Sequence, residues 1–183
     1  MLNLFVLGRK EIPSHQGAIL AGAILPDAPM FFFYFIEKVV RGVPEYLIWS
    51  HDYYLEPWQN FIDCFNSLPF IGLGFLVAWK AQSRAGQLFF VSMIFHVGGD
   101  LPLHHDDAHR HFFPFSNWRF ESPVSYWDPS HYGHIVTGFE IVTVLVCAGL
   151  MFCSTSYRAT KCFVGVIGVM YAVFFSYVLW VWV

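Results

Sequence analysis

The chain has 183 residues, of which 56% are hydrophobic, 20% aromatic and only 13% charged. Soluble domains carry about 25% charged residues, so this composition excludes a disordered chain and an ordinary soluble domain and favours an integral membrane protein. The formal net charge of −3 includes no run of basic residues, so we expect no nucleic-acid partner.

Five apolar segments approach the length of about 20 residues that a helix needs to cross a bilayer. In chain order they are Gly17–Ile36, Asn60–Trp79, Ala85–Leu103, His134–Cys153 and Cys162–Val183. The first contains Pro26 and Pro29, so we expect it to bend or unwind around Asp27. The sequence therefore predicts a single all-α integral-membrane domain over residues 1–183, with about five transmembrane helices.

Basic residues are divided unequally between the two ends of these predicted spans. Six lie on the side of the N-terminus, and four lie on the side of the long connections Glu37–Gln59 and His104–Gly133. Because positive charge is enriched on cytoplasmic sides, this division favours a cytoplasmic N-terminus with both long connections facing outward.

Four carboxylates lie inside the predicted spans, each in the half of its span nearest the long connections: Asp27, Asp63, Asp100 and Glu140. Such groups are costly in a bilayer unless they face one another, a cavity or an ion. We therefore expect the helices to aim polar groups at one shallow layer near one membrane face. Two structural interpretations stay open: Asp63 can satisfy a helix N-terminus, and Glu140 can be purely structural.

Histidines and acidic residues follow one another at the end of the third predicted span. His96, Asp100 and His104 are spaced i, i+4 and i+8, which predicts that they line one helical face. An imidazole and a carboxylate one turn apart can hold a divalent ion, or can form a structural hydrogen-bonded pair. His105 and His109 lie in the adjoining histidine-rich loop, which is equally typical of a solvated polar loop without ligands. Nitrogen and oxygen donors without thiolates suit zinc, manganese or iron.

These residues resemble the membrane-bound, metal-dependent hydrolases of bacteria over much of Gly17–Trp127. Leu25–Pro26–Asp27 is similar to the LPD element of that family, and His96-x-x-x-Asp100 is similar to its H-x-x-x-D segment. A downstream proline-containing strip adds to the likeness: Pro114–Phe115–Ser116, Trp118–Arg119–Phe120 and Pro123. The resemblance implies a multi-pass protein of a bacterial-type plasma or internal membrane, with Asp27, His96 and Asp100 as metal ligands.

Two elements depart from the family pattern. The histidine that usually precedes the first apolar segment is absent near Met1, so this ligand is missing, lies upstream or is replaced by His15. The usual T-H-S element is replaced by Phe65–Asn66–Ser67. The ligand set would then draw on His104, His105 or His109, or the hydrolase activity has been lost.

The leading functional hypothesis is a membrane-embedded, metal-dependent hydrolase acting on a lipid-like substrate or a phosphate or acyl ester. Asp63, Glu140 or His109 would act as the general base. Arg110 or Arg119 would hold the anionic headgroup of a membrane lipid or other amphiphile that reaches the site laterally.

Two alternatives belong to other classes. The first is a non-enzymatic metal-binding, sensor or assembly protein of the membrane, which the missing family histidines favour. The second is a di-iron membrane oxygenase or desaturase, which needs several histidine boxes, whereas only the region His104–His111 looks like one.

Overall fold

The chain folds mainly into α-helices, as long apolar segments require when their backbone groups are satisfied without water. In this computed structural model the described residues are 1–126 and 128–182, with side chains as far as Ser176. Two residues lie outside the described residues: Trp127, which ends the region of family resemblance, and Val183, which ends the fifth predicted span. The helices are α1 (Pro13–Ile24), α2 (Ala28–Phe35), α3 (Glu45–Ser50), α4 (Glu56–Asn66), α5 (Leu68–Lys80), α6 (Arg84–Asp100), α7 (Gly133–Ser154) and α8 (Arg158–Trp182). The predicted all-α class is confirmed for these residues, which include no strand.

The predicted bend in the first apolar segment is confirmed. The helical stretches on either side of the break, which contains Pro26 and Asp27, diverge by 56°. Pro29 lies in the first turn of α2, where its missing N–H costs no helical hydrogen bond. Asp27 occupies the N-cap position of α2, but its side chain makes no capping hydrogen bond. The Asp27 carboxylate therefore does not cap the backbone N–H groups at the start of α2.

Three helical segments are long and apolar enough to cross a membrane: Glu56–Lys80, Gly133–Ser154 and Arg158–Ser176. The bent segment from Pro13 to Val40 is a fourth if it counts as one broken span. The predicted span Ala85–Leu103 corresponds to α6, which has 17 residues and ends at Asp100. At 1.5 Å per residue α6 is about 26 Å long, below the roughly 30 Å of a hydrocarbon core. The described residues thus support three or four spans, and the expected total of five is not confirmed.

The closest helix pair is α1 against α6, and it determines where Asp27 lies relative to His96. A Cβ atom on Gly22 would lie 2.1 Å from the carbonyl oxygen of Phe89, so glycine allows this approach of the two backbones. The Ser92 hydroxyl donates to the carbonyl oxygen of Ile19 at 2.7 Å. This contact holds the C-terminal half of α6 beside the α1–α2 break.

Polar contacts tie together the ends of three helices on the N-terminal side. The Arg84 guanidinium at the start of α6 pairs with Glu11 at 2.5 Å. The Thr160 hydroxyl in α8 donates to the side chain of Gln16 in α1. Because α7 has 22 residues and is about 33 Å long, the connection that precedes it lies at the opposite end.

Candidate metal centre

The α1–α2 break and the last turn of α6 bring three possible metal ligands together. His96 Nε2 lies 3.3 Å from Asp27 Oδ1 and 2.7 Å from Asp100 Oδ2. One ligand atom from each residue lies within 4.8 Å of the other two. Within the described part of the chain, no other set of three histidine, cysteine or acidic residues meets this condition. We call Asp27, His96 and Asp100 the three-ligand group.

The three-ligand group fits a divalent ion. His96 Nε2 is buried and has no hydrogen-bond partner among the described residues, although two carboxylate oxygens lie within 3.3 Å of it. A tetrahedral zinc ion with bonds of about 2.0–2.1 Å places neighbouring ligand atoms about 3.3 Å apart. The spacing of His96 and Asp27 is 3.3 Å, whereas that of His96 and Asp100 is 2.7 Å, so a bound ion requires these two side chains to separate. One imidazole nitrogen and two carboxylates, without a thiolate, also suit manganese or iron.

The group can be approached from one side. The Asp27 side chain is 40% exposed, whereas that of His96 is 13% exposed. An ion held here would therefore keep an accessible coordination position next to Asp27, as catalytic sites require.

His104 does not continue the face of α6 that carries His96 and Asp100, so the prediction of one helical face through position 104 is wrong. The helix ends at Asp100, and the N–H of Leu103 donates back to the carbonyl oxygen of Asp100 at 2.8 Å in a turn. Pro102 explains this ending, because proline has no N–H to continue the helix and disfavours helical geometry in the residue before it.

His104 forms a buried pair with Asp107 instead, in which Nδ1 and Oδ2 are 2.8 Å apart. Burial by itself lowers the pKa of His104, but the hydrogen bond and the charge of Asp107 outweigh it and raise the pKa above 6.5. Burial raises the pKa of the Asp107 carboxyl, while the hydrogen bond from His104 outweighs that effect and lowers the pKa below 3.8. The pair therefore favours an imidazolium beside a carboxylate.

Four of the predicted functional residues meet in an ion-pair cluster around buried Asp63. The Arg110 guanidinium pairs with one carboxylate oxygen, and the backbone N–H of Arg110 donates to the other at 3.2 Å. His109 Nδ1 lies 3.5 Å from Oδ1, and Arg119 lies 3.8 Å from Oδ2. The structure thus brings two of the three predicted bases, Asp63 and His109, together with both predicted headgroup-binding arginines, but these residues face one another.

The two arginines also attach the histidine-rich loop to α4. Arg110 donates to the side-chain oxygens of Asn60 at 2.7 Å and Asn117 at 3.2 Å. Arg119 donates to Gln59 at 2.8 Å and to the backbone carbonyl oxygen of Ala108. These contacts direct both guanidinium groups toward the protein.

Three other predicted residues lie apart from the three-ligand group. His105 Nδ1 is 2.6 Å from the carbonyl oxygen of Ser122, and its ring stacks on His131 with ring centres 3.8 Å apart. Glu140 on α7 accepts a hydrogen bond from the Tyr171 hydroxyl at 3.1 Å. His15, the possible replacement ligand, pairs with Glu11 at 2.8 Å.

Sequence reasoning left two contributors without a role. Asp107 orients His104, and the i, i+3 spacing of the two residues is the sequence signal that could have indicated the pair. The Asn66 amide donates to the carbonyl oxygen of Pro26 at 3.2 Å, which links the end of α4 to the break beside Asp27. A polar residue in an apolar segment was the available signal for Asn66.

Comparison of the chain with protein-family models, curated proteins and solved structures found no match. The resemblance to bacterial metal-dependent hydrolases therefore stays a prediction based on the motif residues. The fold and the site define a class: an all-α protein with helices of membrane-spanning length and a group of three residues that could hold a metal ion.

Proposed function

We propose that this chain is a membrane-embedded, metal-dependent hydrolase that cleaves a phosphate or acyl ester in a lipid-like substrate. The observation that carries the proposal is the convergence of Asp27 and Asp100 on His96 Nε2, a buried atom with no hydrogen-bond partner in the described part of the chain. Helices of membrane-spanning length around this group support a substrate that arrives from the lipid phase.

The residues of the chain divide the chemistry between them. A divalent ion in the three-ligand group would lower the pKa of a bound water and polarise the phosphoryl or acyl oxygen. We assign His104 as the proton donor for the leaving oxygen, because its hydrogen bond to Asp107 raises the pKa of the imidazole and favours the protonated ring. Asp107 fixes the ring through Nδ1, so that Nε2 is the atom that donates. The three residues predicted as the general base have other partners: Asp63 pairs with Arg110, Arg119 and His109, and Glu140 accepts from Tyr171.

A metal-binding or assembly protein without turnover is the alternative function. The observation that favours it is the position of the two arginines: both pair with Asp63 and with amide oxygens of α4. Neither guanidinium is directed at the three-ligand group, where a hydrolase would need a cation to bind an anionic headgroup.

Metal content distinguishes the site from a structural ion pair. We expect near-stoichiometric metal in tag-free protein, measured by mass spectrometry after purification in mild detergent, and its loss in His96→Ala/Asp100→Ala. The matched control is His51→Ala/Asp52→Ala, which removes another histidine–carboxylate pair 2.7 Å apart. Both variants should keep cooperative thermal unfolding.

Turnover separates the two functions. Phospholipids and acyl-ester amphiphiles should be hydrolysed by the wild-type protein, and His104→Asn should lower the rate at least tenfold while metal content is unchanged. Bound metal without hydrolysis of either substrate class would favour the alternative. Absence of metal from wild-type protein after reconstitution with zinc, manganese and iron would refute the hydrolase and favour an assembly protein without a metal.

A further inference from the structure

A groove lies between α7 and α8. It encloses about 570 Å³ and is lined by Tyr126, Thr137, Glu140, Met170, Tyr171 and Phe174. Small-molecule sites typically occupy about 300–1,000 Å³, so the groove has room for part of an amphiphile. Both helices are long and apolar enough to cross a membrane, and the open side of the groove would then face lipid chains.

Tyr126 connects the groove with the neighbourhood of the three-ligand group. Its ring centre lies 5.0 Å from that of His104, and its carbonyl oxygen accepts a hydrogen bond from Thr137 at 2.9 Å. A molecule lying in the groove therefore has one end at Tyr126, next to the proposed proton donor.

The groove is apolar except around Glu140. At 1.5 Å per residue this side chain lies about 10 Å along α7 from Gly133. The Tyr171 hydroxyl donates to Glu140 Oε1 at 3.1 Å. A carboxyl group at such a depth in a membrane is costly unless its hydrogen-bonding capacity is met, and Tyr171 supplies one donor. A ligand that carries a second hydrogen-bond donor for Glu140 on an otherwise apolar chain would complement the groove.

We propose that the groove binds the hydrocarbon chain of a single-chain amphiphile, and that a hydroxyl or amide N–H on that chain donates to Glu140. Met170 and Phe174 contact the apolar part of the chain, and the head of the molecule passes Tyr126 toward His104. Calling this ligand a substrate rests on the proposed hydrolase function, but its binding requires no turnover.

Photocrosslinking in phosphatidylcholine nanodiscs tests the groove. The probe is a single-chain phospholipid with an amide-linked chain that carries a diazirine, and an ester-linked probe of equal length is its partner. We expect the amide probe to label Thr137, Met170 or Phe174 at least threefold more than Leu76 and Val146, which are 50% and 55% exposed on α5 and α7. Met170→Trp fills the groove and should abolish this labelling. Val169→Trp, at a position on α8 that is 65% exposed and does not line the groove, should leave it unchanged.

The role of Glu140 is tested with the same probes. Glu140→Leu should remove the preference for the amide probe over the ester probe while groove labelling by the chain persists. Even labelling of all exposed helix faces, or labelling that Met170→Trp does not change, would refute the groove as a binding site. Equal labelling of wild-type protein by the amide and ester probes would refute the proposed hydrogen bond from the ligand to Glu140. Groove labelling that depends on Met170 in a protein without hydrolysis would refute the proposed function and leave the lipid site standing.

Discussion

His104 and Asp107 form a pair that couples the histidine-rich loop to pH. The pKa of His104 is raised, so its contribution to stability is complete below 6.5 and is lost as the pH rises through the raised pKa. The pKa of Asp107 is lowered, so its contribution is present above 3.8 and is lost as the pH falls through the lower pKa. The pair is therefore most stabilising between pH 3.8 and pH 6.5, where both contributions are present.

We predict that His104→Gln destabilises the protein by about 1.5–3 kcal/mol at pH 6 and by less at pH 9, because a charged hydrogen bond is lost only at the lower pH. Thermal unfolding in nanodiscs at the two pH values measures the difference. His51→Gln is the control, since the His51 side chain is 67% exposed. A loss of stability for His104→Gln that is equal at both pH values would contradict the charged pair.

Asp63 has a completely buried side chain, and its charge depends on the cations around it. Arg110→Ala removes the closest of them and is expected to destabilise the protein by about 3–5 kcal/mol, because it leaves a buried carboxylate poorly paired. Arg84→Ala removes the partner of Glu11. Because the Arg84 side chain is 58% exposed, this substitution should destabilise the protein by only about 0–1 kcal/mol. Chemical denaturation in mild detergent gives both values.

The double variant Asp63→Asn/Arg110→Ala provides the second arm of this experiment. It removes the buried charge together with its partner, so it should be more stable than Arg110→Ala alone. If the double variant is less stable than the single variant, the ion-pair cluster is not what makes Arg110 important.

At the level of elements, the approach of α1 to α6 determines the geometry of the three-ligand group. Asp27 follows α1 and His96 lies on α6, so any displacement of one helix from the other changes the 3.3 Å distance between their side chains. Gly22 controls this approach, since its Cα faces the backbone of Phe89. Metal affinity should therefore respond to a substitution that touches none of the ligands.

Gly22→Ala is expected to weaken metal binding at least tenfold and to destabilise the protein by about 1–3 kcal/mol, because the added Cβ forces the two helices apart. Gly17→Ala is the matched control in the same helix, where a Cβ meets no atom within 4 Å. Metal titration followed by calorimetry compares the two variants. Unchanged affinity in Gly22→Ala would show that the group tolerates movement of α1.

At the scale of the whole molecule, the helix ends separate into two faces. Arg84 pairs with Glu11, and Thr160 pairs with Gln16, so the N-terminal segment and the two short helix connections share one face. The histidine-rich loop lies at the other end of α7, about 33 Å away. A membrane protein with this arrangement exposes the two sets of connections on opposite sides.

Cysteine labelling tests this arrangement in a background from which Cys64, Cys147, Cys153 and Cys162 have been removed. Ala81→Cys and Ser156→Cys should react with an impermeant maleimide from one side of sealed vesicles. Glu121→Cys, in the connection before α7, should react from the other side. Labelling of all three positions from the same side would contradict membrane insertion with these helices as spans.

The sequence predicted the fold class and the ligand group for reasons that act locally. Low charge and long apolar segments favour helices. Pro26 and Pro29 break the helix of the first apolar segment whatever its tertiary contacts are. A carboxylate at that break and a histidine–aspartate pair one turn apart are both costly in an apolar segment unless they meet, and the structure places them together.

Other features could not be predicted because they depend on contacts between distant segments. Asp63 and Arg110 are 47 positions apart, and neither spacing nor composition indicates that the arginine turns to α4 rather than to a headgroup. His104 was predicted on the helix, but the turn at Pro102 moved it to Asp107. The i, i+4 spacing places side chains on one face only within the helix, and α6 ends at Asp100, before His104.

By itself, the amino-acid sequence determined the helical, apolar character of this protein, the break at Asp27 and the residue types of a group that could hold a metal ion. Each of these follows from the chemistry of residues within one or two turns of each other. The tertiary structure alone decided which of the four carboxylates in the predicted spans join His96, which one pairs with arginine, and which one faces the groove between α7 and α8. Helix packing made this choice, because burying a charge is favourable only where the partner segment supplies the opposite charge, a donor or an ion.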